Sequence, residues 1–242
     1  MERVKTYITG LDKLLEGGFL KGSCVLLQGP PGTGKTIFGL QFLYQGCTKS
    51  KDSGMLIQIE EYDKTLYWYS KLFGWDLSRE QKKGKLAIFS LKPRNYEKFS
   101  PAKLEGEMLG KLKNIMEPMQ IKRVVIDSIS PLRSSMANAG DYRSSFYETV
   151  NFLKEMEATS VIVSDTPSQS SFEETSKLET SIVTPEEHIC DGVIKLRHAK
   201  NTKEKEYNKQ LLISKMTATN PPIAWYPVTI TKKLGFTVKP FL

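Results

Sequence analysis

Gly29, Pro30, Pro31, Gly32, Thr33, Gly34, Lys35 and Thr36 read GPPGTGKT and fit G-x-x-x-x-G-K-[ST] without a mismatch. Residue types at that spacing suit the wrapping of a phosphate chain. Gly29, Gly32 and Gly34 stand where a side chain would block the approach of backbone N–H groups to an anion, or where a left-handed conformation is needed. Lys35 offers a point charge to the β- and γ-phosphates, and the Thr36 hydroxyl is a candidate magnesium ligand. A glycine-rich turn can match such a pattern by chance, so the flanking chain decides. Ser23–Gln28 is a short apolar run that predicts a buried strand, and Ile37–Tyr44 spaces its apolar residues as a helix does. The N-terminus of that helix directs its partial positive charge at the anion. The expected ligand is a nucleoside triphosphate with magnesium.

Three acidic residues are placed to complete such a site. Ligands of open α/β sheets gather at the carboxyl ends of the strands. Asp127 closes the apolar run Arg123–Asp127, which puts it beside the phosphate-binding turn as a second metal ligand, directly or through water. Glu60 and Glu61 close Met55–Ile59 at the same edge. One of them can orient and polarise the water that attacks a γ-phosphate. Successive side chains on a strand point to opposite faces, so the two do not share that task. A solvated helix cap is the competing reading of the pair.

The elements that must hold these residues follow from hydrophobic period. Tyr7–Gly18 predicts a short helix opened at Thr9 or Gly10, striped by Leu11, Leu14 and Leu15, and stopped by Gly17 and Gly18. Thr65–Phe73 carries Leu66, Tyr69, Leu72 and Phe73 at helical spacing, with Tyr67 and Trp68 on adjoining faces, which reads as a core-facing stripe. Leu86–Phe89 is a third strand, Lys92–Pro101 a loop, and Leu104–Met116 an amphipathic helix. Tyr142–Met156 is another helix and Ser160–Asp165 another strand. Alternation of this kind implies parallel strands with crossover helices. From Asp191 the pattern changes to strands at Val193–Leu196, Gln210–Ser214, Val228–Thr231 and Phe236–Lys239, separated by short loops. The fold expected is α/β, a mostly parallel doubly wound sheet with a C-terminal antiparallel extension, in one domain over residues 1–242.

Composition narrows the class further. Apolar residues make up 39% and charged residues 26% of the 242, enough apolar material for a core. Met1–Ile8 has no signal-peptide character and no stretch reaches the length of a membrane span, so a cytoplasmic protein without membrane contact is expected. Cys24, Cys47 and Cys190 are far apart in sequence and lack C-x-x-C spacing, which argues against a disulfide framework or a zinc site and for reduced thiols, with Cys24 and Cys190 buried. The formal net charge of +8 is concentrated from Lys195 onward, where ten Lys and Arg face only Glu204 and Glu206. That basic quarter is either a solvated or intersubunit face or a footprint for nucleic acid.

Taken together the residues resemble the KaiC-like ATPases of the RecA/RadA superfamily. GLDKLLEGG at residues 10–18 is similar to the family's N-terminal G-x-D-x-x-L-x-G-G, and GPPGTGKT follows it. Ile59-Glu60-Glu61 resembles the paired glutamates after the second strand, Gly74–Leu77 the G-W-D turn, and Val124–Ser128 the Walker B strand. Asp191–Leu196 is similar to D-G-V-I-x-L, and Leu212–Met216 to the strand ending in K-M-R. The resemblance spans essentially the whole chain in order. It implies a RecA-type P-loop NTPase core, ATP and Mg2+ as cofactors, ATP hydrolysis, and assembly into a homo-oligomeric ring, commonly a hexamer, with ATP at subunit interfaces. It makes Glu60, Glu61 and Lys215 catalytic candidates, with Glu60 as the water-activating residue and Lys215 reaching a neighbour's γ-phosphate as an arginine finger does.

One position departs from the family pattern. The arginine expected two residues after Lys215 is Thr217, and no histidine follows. A missing trans cation costs several powers of ten in systems that rely on one, so slow hydrolysis is expected unless Arg197 or Lys200 supplies charge. Three readings follow: a regulatory ATPase ring, a DNA-binding accessory similar to RadA paralogues in recombination, or a scaffold that binds ATP and barely turns it over. Thr166–Glu187 is acidic, with five glutamates against Lys177, and repels phosphates. If single-stranded DNA is a partner, it is expected at the basic C-terminal strands.

Overall fold

Apolar strands interleaved with amphipathic helices bury themselves best as the middle layer of three, and this chain does so. The computed structural model describes residues 1–59, 63–91, 108–136, 138–166, 184–201 and 206–240. A two-stranded antiparallel ribbon, β1 (Arg3–Val4) with β2 (Phe19–Leu20), brackets the short helix α1 (Leu11–Leu14). Gly10 begins α1 in a left-handed conformation, and Leu11 and Leu15 are buried.

Among the described residues the main sheet has nine strands. Six run parallel: β3 (Cys24–Gly29), β4 (Ser53–Ile59), β5 (Leu86–Leu91), β6 (Ile121–Asp127), β7 (Thr159–Asp165) and β8 (Gly192–Asn201). β9 (Glu206–Met216), β10 (Tyr226–Thr231) and β11 (Gly235–Val238) add antiparallel ladders, giving the order β11-β10-β9-β8-β3-β7-β6-β4-β5. The α/β sheet with its antiparallel C-terminal strands is the expected architecture. One boundary moves: Val193–Leu196, expected within the antiparallel extension, pairs parallel with β3 on one side and antiparallel with β9 on the other. A strand's direction is set by its partners, and its own residues do not encode it.

Helices cover both faces. On one lies α2 (Lys35–Gln45), which closes in a π-helical turn at Gly46–Ser50; its Phe38 and Phe42 pack on Val25, Leu27, Leu56, Val125 and Val161. On the other lie α5 (Leu109–Met119) and α7 (Ala139–Glu155), whose Leu112, Met116, Phe146 and Val150 pack with Leu26, Met55, Ile57, Val124 and Ile162. Alternation along each strand sends neighbours to opposite layers. The shorter helices are α3 (Asp63–Leu72), α4 (Leu77–Lys82), α6 (Ser130–Ser135) and α8 (Pro185–Ile189). Asn138 caps α7 by accepting from the Asp141 N–H at 2.8 Å, and Asp76 caps α4 in the same way through Arg79 at 2.9 Å.

One expectation fails in part in this layer. Leu66 on α3 is buried and Phe73 packs against the same core, but Tyr69 is 40%, Leu72 53% and Trp68 66% exposed, so only part of the apolar stripe faces the core. The three thiols are free and buried, as expected, and Cys24 and Cys190, far apart in sequence, stand with their Sγ atoms 3.8 Å apart. Contact with the Cys24 thiol, followed by burial, holds the Cys190 pKa well above its usual value, and burial pushes Cys47 up to about 11. Glu60, Glu61, the loop 92–101, Leu104 and residues 167–183 lie outside the described residues.

Candidate nucleotide site

The turn between β3 and α2 is shaped by its own backbone. Gly34 caps α2 at φ +102, and a Cβ there would stand 2.5 Å from Ile230 Cδ1. Gly32 also holds a positive φ of +79. Both are conformations that L side chains rarely adopt, so glycine is required for the turn to close. Thr33 Oγ1 donates to the Pro30 carbonyl at 2.8 Å and braces the loop from inside.

Lys35 is folded back over the turn. Its Nζ donates to the carbonyls of Gly29 at 2.7 Å and Pro30 at 3.0 Å, and pairs with Asp165 Oδ1 at 2.9 Å, with only 8% of the side chain exposed. Asp165 ends β7, and register sets it directly beside Gly29. Its backbone N–H donates to Ser130 Oγ at 2.8 Å, and Ser128 Oγ lies 3.4 Å from Oδ2. Asp127 ends β6, one strand further from the turn, because β7 intervenes between β3 and β6. A strand-end acid was expected immediately beside the turn at Asp127; the residue that occupies that place is Asp165, while Asp127 faces the same cleft from one strand away.

That cleft is a cavity of about 1040 Å³ at the carboxyl edge of the sheet, lined by Gly34, Lys35, Thr36, Asp127, Asp165 and Lys209 among others. The volume accommodates a nucleotide. The Thr36 hydroxyl and Asp127 carboxylate are hard oxygen donors, the set that magnesium takes alongside phosphate oxygens and waters. The donor chemistry therefore fits the ion. Ile59, the residue before Glu60, lines the cavity as well.

Two residues that sequence reasoning missed come from the C-terminal strands. Lys209 on β9 stands opposite His198 on β8, and His198 Nε2 lies 3.2 Å from the Pro31 carbonyl. They reach the turn because β8 runs beside β3, a pairing with no local signature. Lys215 is not brought to the turn of its own chain. It pairs with Val193, level with Leu26, and its Nζ donates to the carbonyls of Glu187, His188 and Cys190 at 3.0, 3.3 and 2.6 Å. Thr217 spends its hydroxyl on the Asp191 carbonyl at 2.9 Å. Arg197 turns outward, its guanidinium 3.9 Å over the Trp225 ring and bonded to Gln210.

A parallel sheet with a glycine-rich phosphate turn at its carboxyl edge, its lysine and hydroxyl facing strand-end acids, defines a P-loop NTPase of the RecA type. The chain belongs to the KaiC ATPase family: the sequence model described as "ATPase: KaiC" matches residues 4–241. A UPF0273 protein of Sulfurisphaera tokodaii is 31% identical over 238 residues, covering 95% of this chain and 80% of that protein. The circadian clock protein KaiC3 of Synechocystis sp. is 24% identical over 242 residues, 99% of this chain and 46% of that one. Among solved structures, the KaiC-like protein PH0186 of Pyrococcus horikoshii OT3 superimposes with a TM-score of 0.81 at 31% identity, covering 99% of both chains. No helix among the described residues is long and apolar enough to cross a membrane.

Proposed function

We propose that the chain binds ATP with Mg2+ in the cavity above the turn and hydrolyses it slowly, as a regulatory homo-oligomer in which each subunit completes its neighbour's site. The observation that carries this reading is the convergence of Lys35, Thr36 and Asp127 on one cavity at the carboxyl edge. Residues 29–36 hold the phosphates through backbone N–H groups and Lys35. Thr36 and Asp127 hold the metal, whose charge offsets that of the phosphates. Glu60, following the cavity-lining Ile59, orients the attacking water. Glu60→Gln is expected to abolish turnover and spare binding, checked by single-turnover hydrolysis beside a binding isotherm; unchanged turnover removes Glu60 from the mechanism.

Lys215 acts on the neighbour's nucleotide in a ring, taken here as a hexamer. Its position away from its own turn supports a trans role. Lys215→Ala is expected to lower turnover by a factor on the order of 10³ while leaving ATP affinity within about twofold. A lysine that merely ties down α8 behaves differently: the melting temperature falls and turnover per folded subunit stays constant. Thr217, standing where the K-M-R pattern that the strand resembles has arginine, and bonded to Asp191, supports a low rate.

A second reading, a DNA-binding accessory, is favoured by one observation. Arg197 stacked on Trp225 in the basic C-terminal quarter is a cation and a ring of the kind on which single-stranded bases stack. Hydrolysis measured with and without single-stranded DNA across a salt series separates the two. Stimulation that fades with salt supports the accessory role, and equal rates support the stand-alone ATPase.

A further inference from the structure

Lys35 has three N–H donors, and the carbonyls of Gly29 and Pro30 with the carboxylate of Asp165 use all three. A phosphate oxygen reaches Nζ by displacing one of them. The two carbonyls belong to the turn itself. Asp165 belongs to the adjoining strand, its side chain is 43% exposed, and its negative charge is the one an incoming phosphate duplicates. Once displaced, the carboxylate remains in the cavity with Thr36 and Asp127, its backbone pinned by Ser130 Oγ, and faces a polyanion. Like charges so placed repel unless a cation lies between them.

We infer that Asp165 is a positioning residue that makes nucleotide capture depend on the divalent cation. It competes with the phosphates for Lys35, and the competition is offset when the nucleotide arrives with a metal at Thr36 and Asp127. Metal-free nucleotide meets the full repulsion. The inference rests on the nucleotide reading proposed above and adds a selectivity to it, discrimination between metal-bound and metal-free triphosphate before any chemistry. None of the sequence motifs contains Asp165, whose strand Ser160–Asp165 carries the same acid-ended signal as Arg123–Asp127.

The test is ATP affinity by titration calorimetry in excess magnesium and in EDTA, for the intact chain and for Asp165→Asn. The pair is part exposed, so a modest effect is expected: metal-free affinity rises about three- to tenfold in the variant, magnesium-supported affinity changes by less than about twofold, and their ratio narrows. Asp127→Asn narrows the ratio by the opposite route, losing affinity in the magnesium arm. An unchanged ratio in Asp165→Asn, or an equal fall in both arms, overturns the inference while leaving the nucleotide reading in place. Should the unaltered chain bind ATP in neither buffer, the nucleotide reading itself fails. Asp165→Ser, compared at matched melting temperature, repeats the measurement without the amide.

Discussion

Lys35→Ala is expected to weaken ATP binding by about a hundredfold or more, with turnover lost in proportion. Truncating one partner of a buried, hydrogen-bonded charge pair costs about 2–5 kcal/mol, and each 1.4 kcal/mol is a factor of ten. In the nucleotide-bound state proposed above, Lys35, with 8% of its side chain exposed, and a phosphate form such a pair. The variant also leaves Asp165 uncompensated at the mouth of the phosphate cradle, so repulsion adds to the lost attraction. Stability should change little, because the carboxylate left behind is 43% exposed and is rehydrated. Binding isotherms with thermal unfolding of the same preparation check both halves. ATP bound as tightly by Lys35→Ala as by the unaltered chain would remove the foundation of the functional reading. The double variant Lys35→Ala/Asp165→Asn should recover part of the loss, since it removes the repulsion without restoring the cation. Non-additivity is expected for two groups 2.9 Å apart.

What was legible in the sequence was local. The turn could be read because backbone geometry at Gly32 and Gly34 demands particular residue types within eight positions. Strands β3, β4, β6 and β7 could be read because burial on both faces leaves an unbroken apolar run. Strand order was not legible. Asp127 and Asp165 close equivalent runs, and only the insertion of β7 between β3 and β6 decides which carboxylate meets Lys35. Lys209 and His198 were invisible for the same reason, since their place above the turn follows from β8 lying against β3. Tyr69, read as core from its spacing, lines the cavity instead. A helical stripe shows that one face is apolar and does not say what covers it. The trans placement of Lys215 came from resemblance; the fold adds that its own turn is out of reach.

Arg123 sets the largest expected effect on stability. The sequence shows an arginine opening a buried run, and the structure buries it almost completely, at 1% exposure. Nε pairs with Asp52 at 2.8 Å, Nη1 donates to the carbonyls of Lys5 at 2.8 Å and Phe42 at 3.3 Å, and Nη2 donates to Ser50 Oγ at 3.2 Å. The guanidinium also lies 4.7 Å over the Phe42 ring. One side chain thus ties β6 to the N-terminal segment, to α2 and to the π-helical turn that follows it. Arg123→Ala takes the donor from the Lys5 carbonyl and the Asp52 carboxylate, while the Phe42 carbonyl keeps the Gly46 N–H, and opens a cavity; breaking a buried pair of this kind costs about 3–5 kcal/mol. For a chain of this length each kcal/mol shifts the melting temperature by about 2–4 °C, so a fall of about 6–20 °C is expected by calorimetry. Arg123→Met refills much of the volume yet leaves the same acceptors unpaired, and should recover only the cavity part. Gly46→Ala attacks the contact from the other side, since a Cβ there would overlap the Arg123 guanidinium at Nε; a cost of about 1–3 kcal/mol is expected for overpacking. ATP affinity per folded molecule should stay within about twofold in all three variants, because the anchor grips the end of α2 opposite Lys35 and Thr36. A fall in affinity larger than the fall in folded fraction would instead mean that the anchor sets the pitch of α2 at the phosphate turn, and would move Arg123 from the scaffold into the machinery of binding.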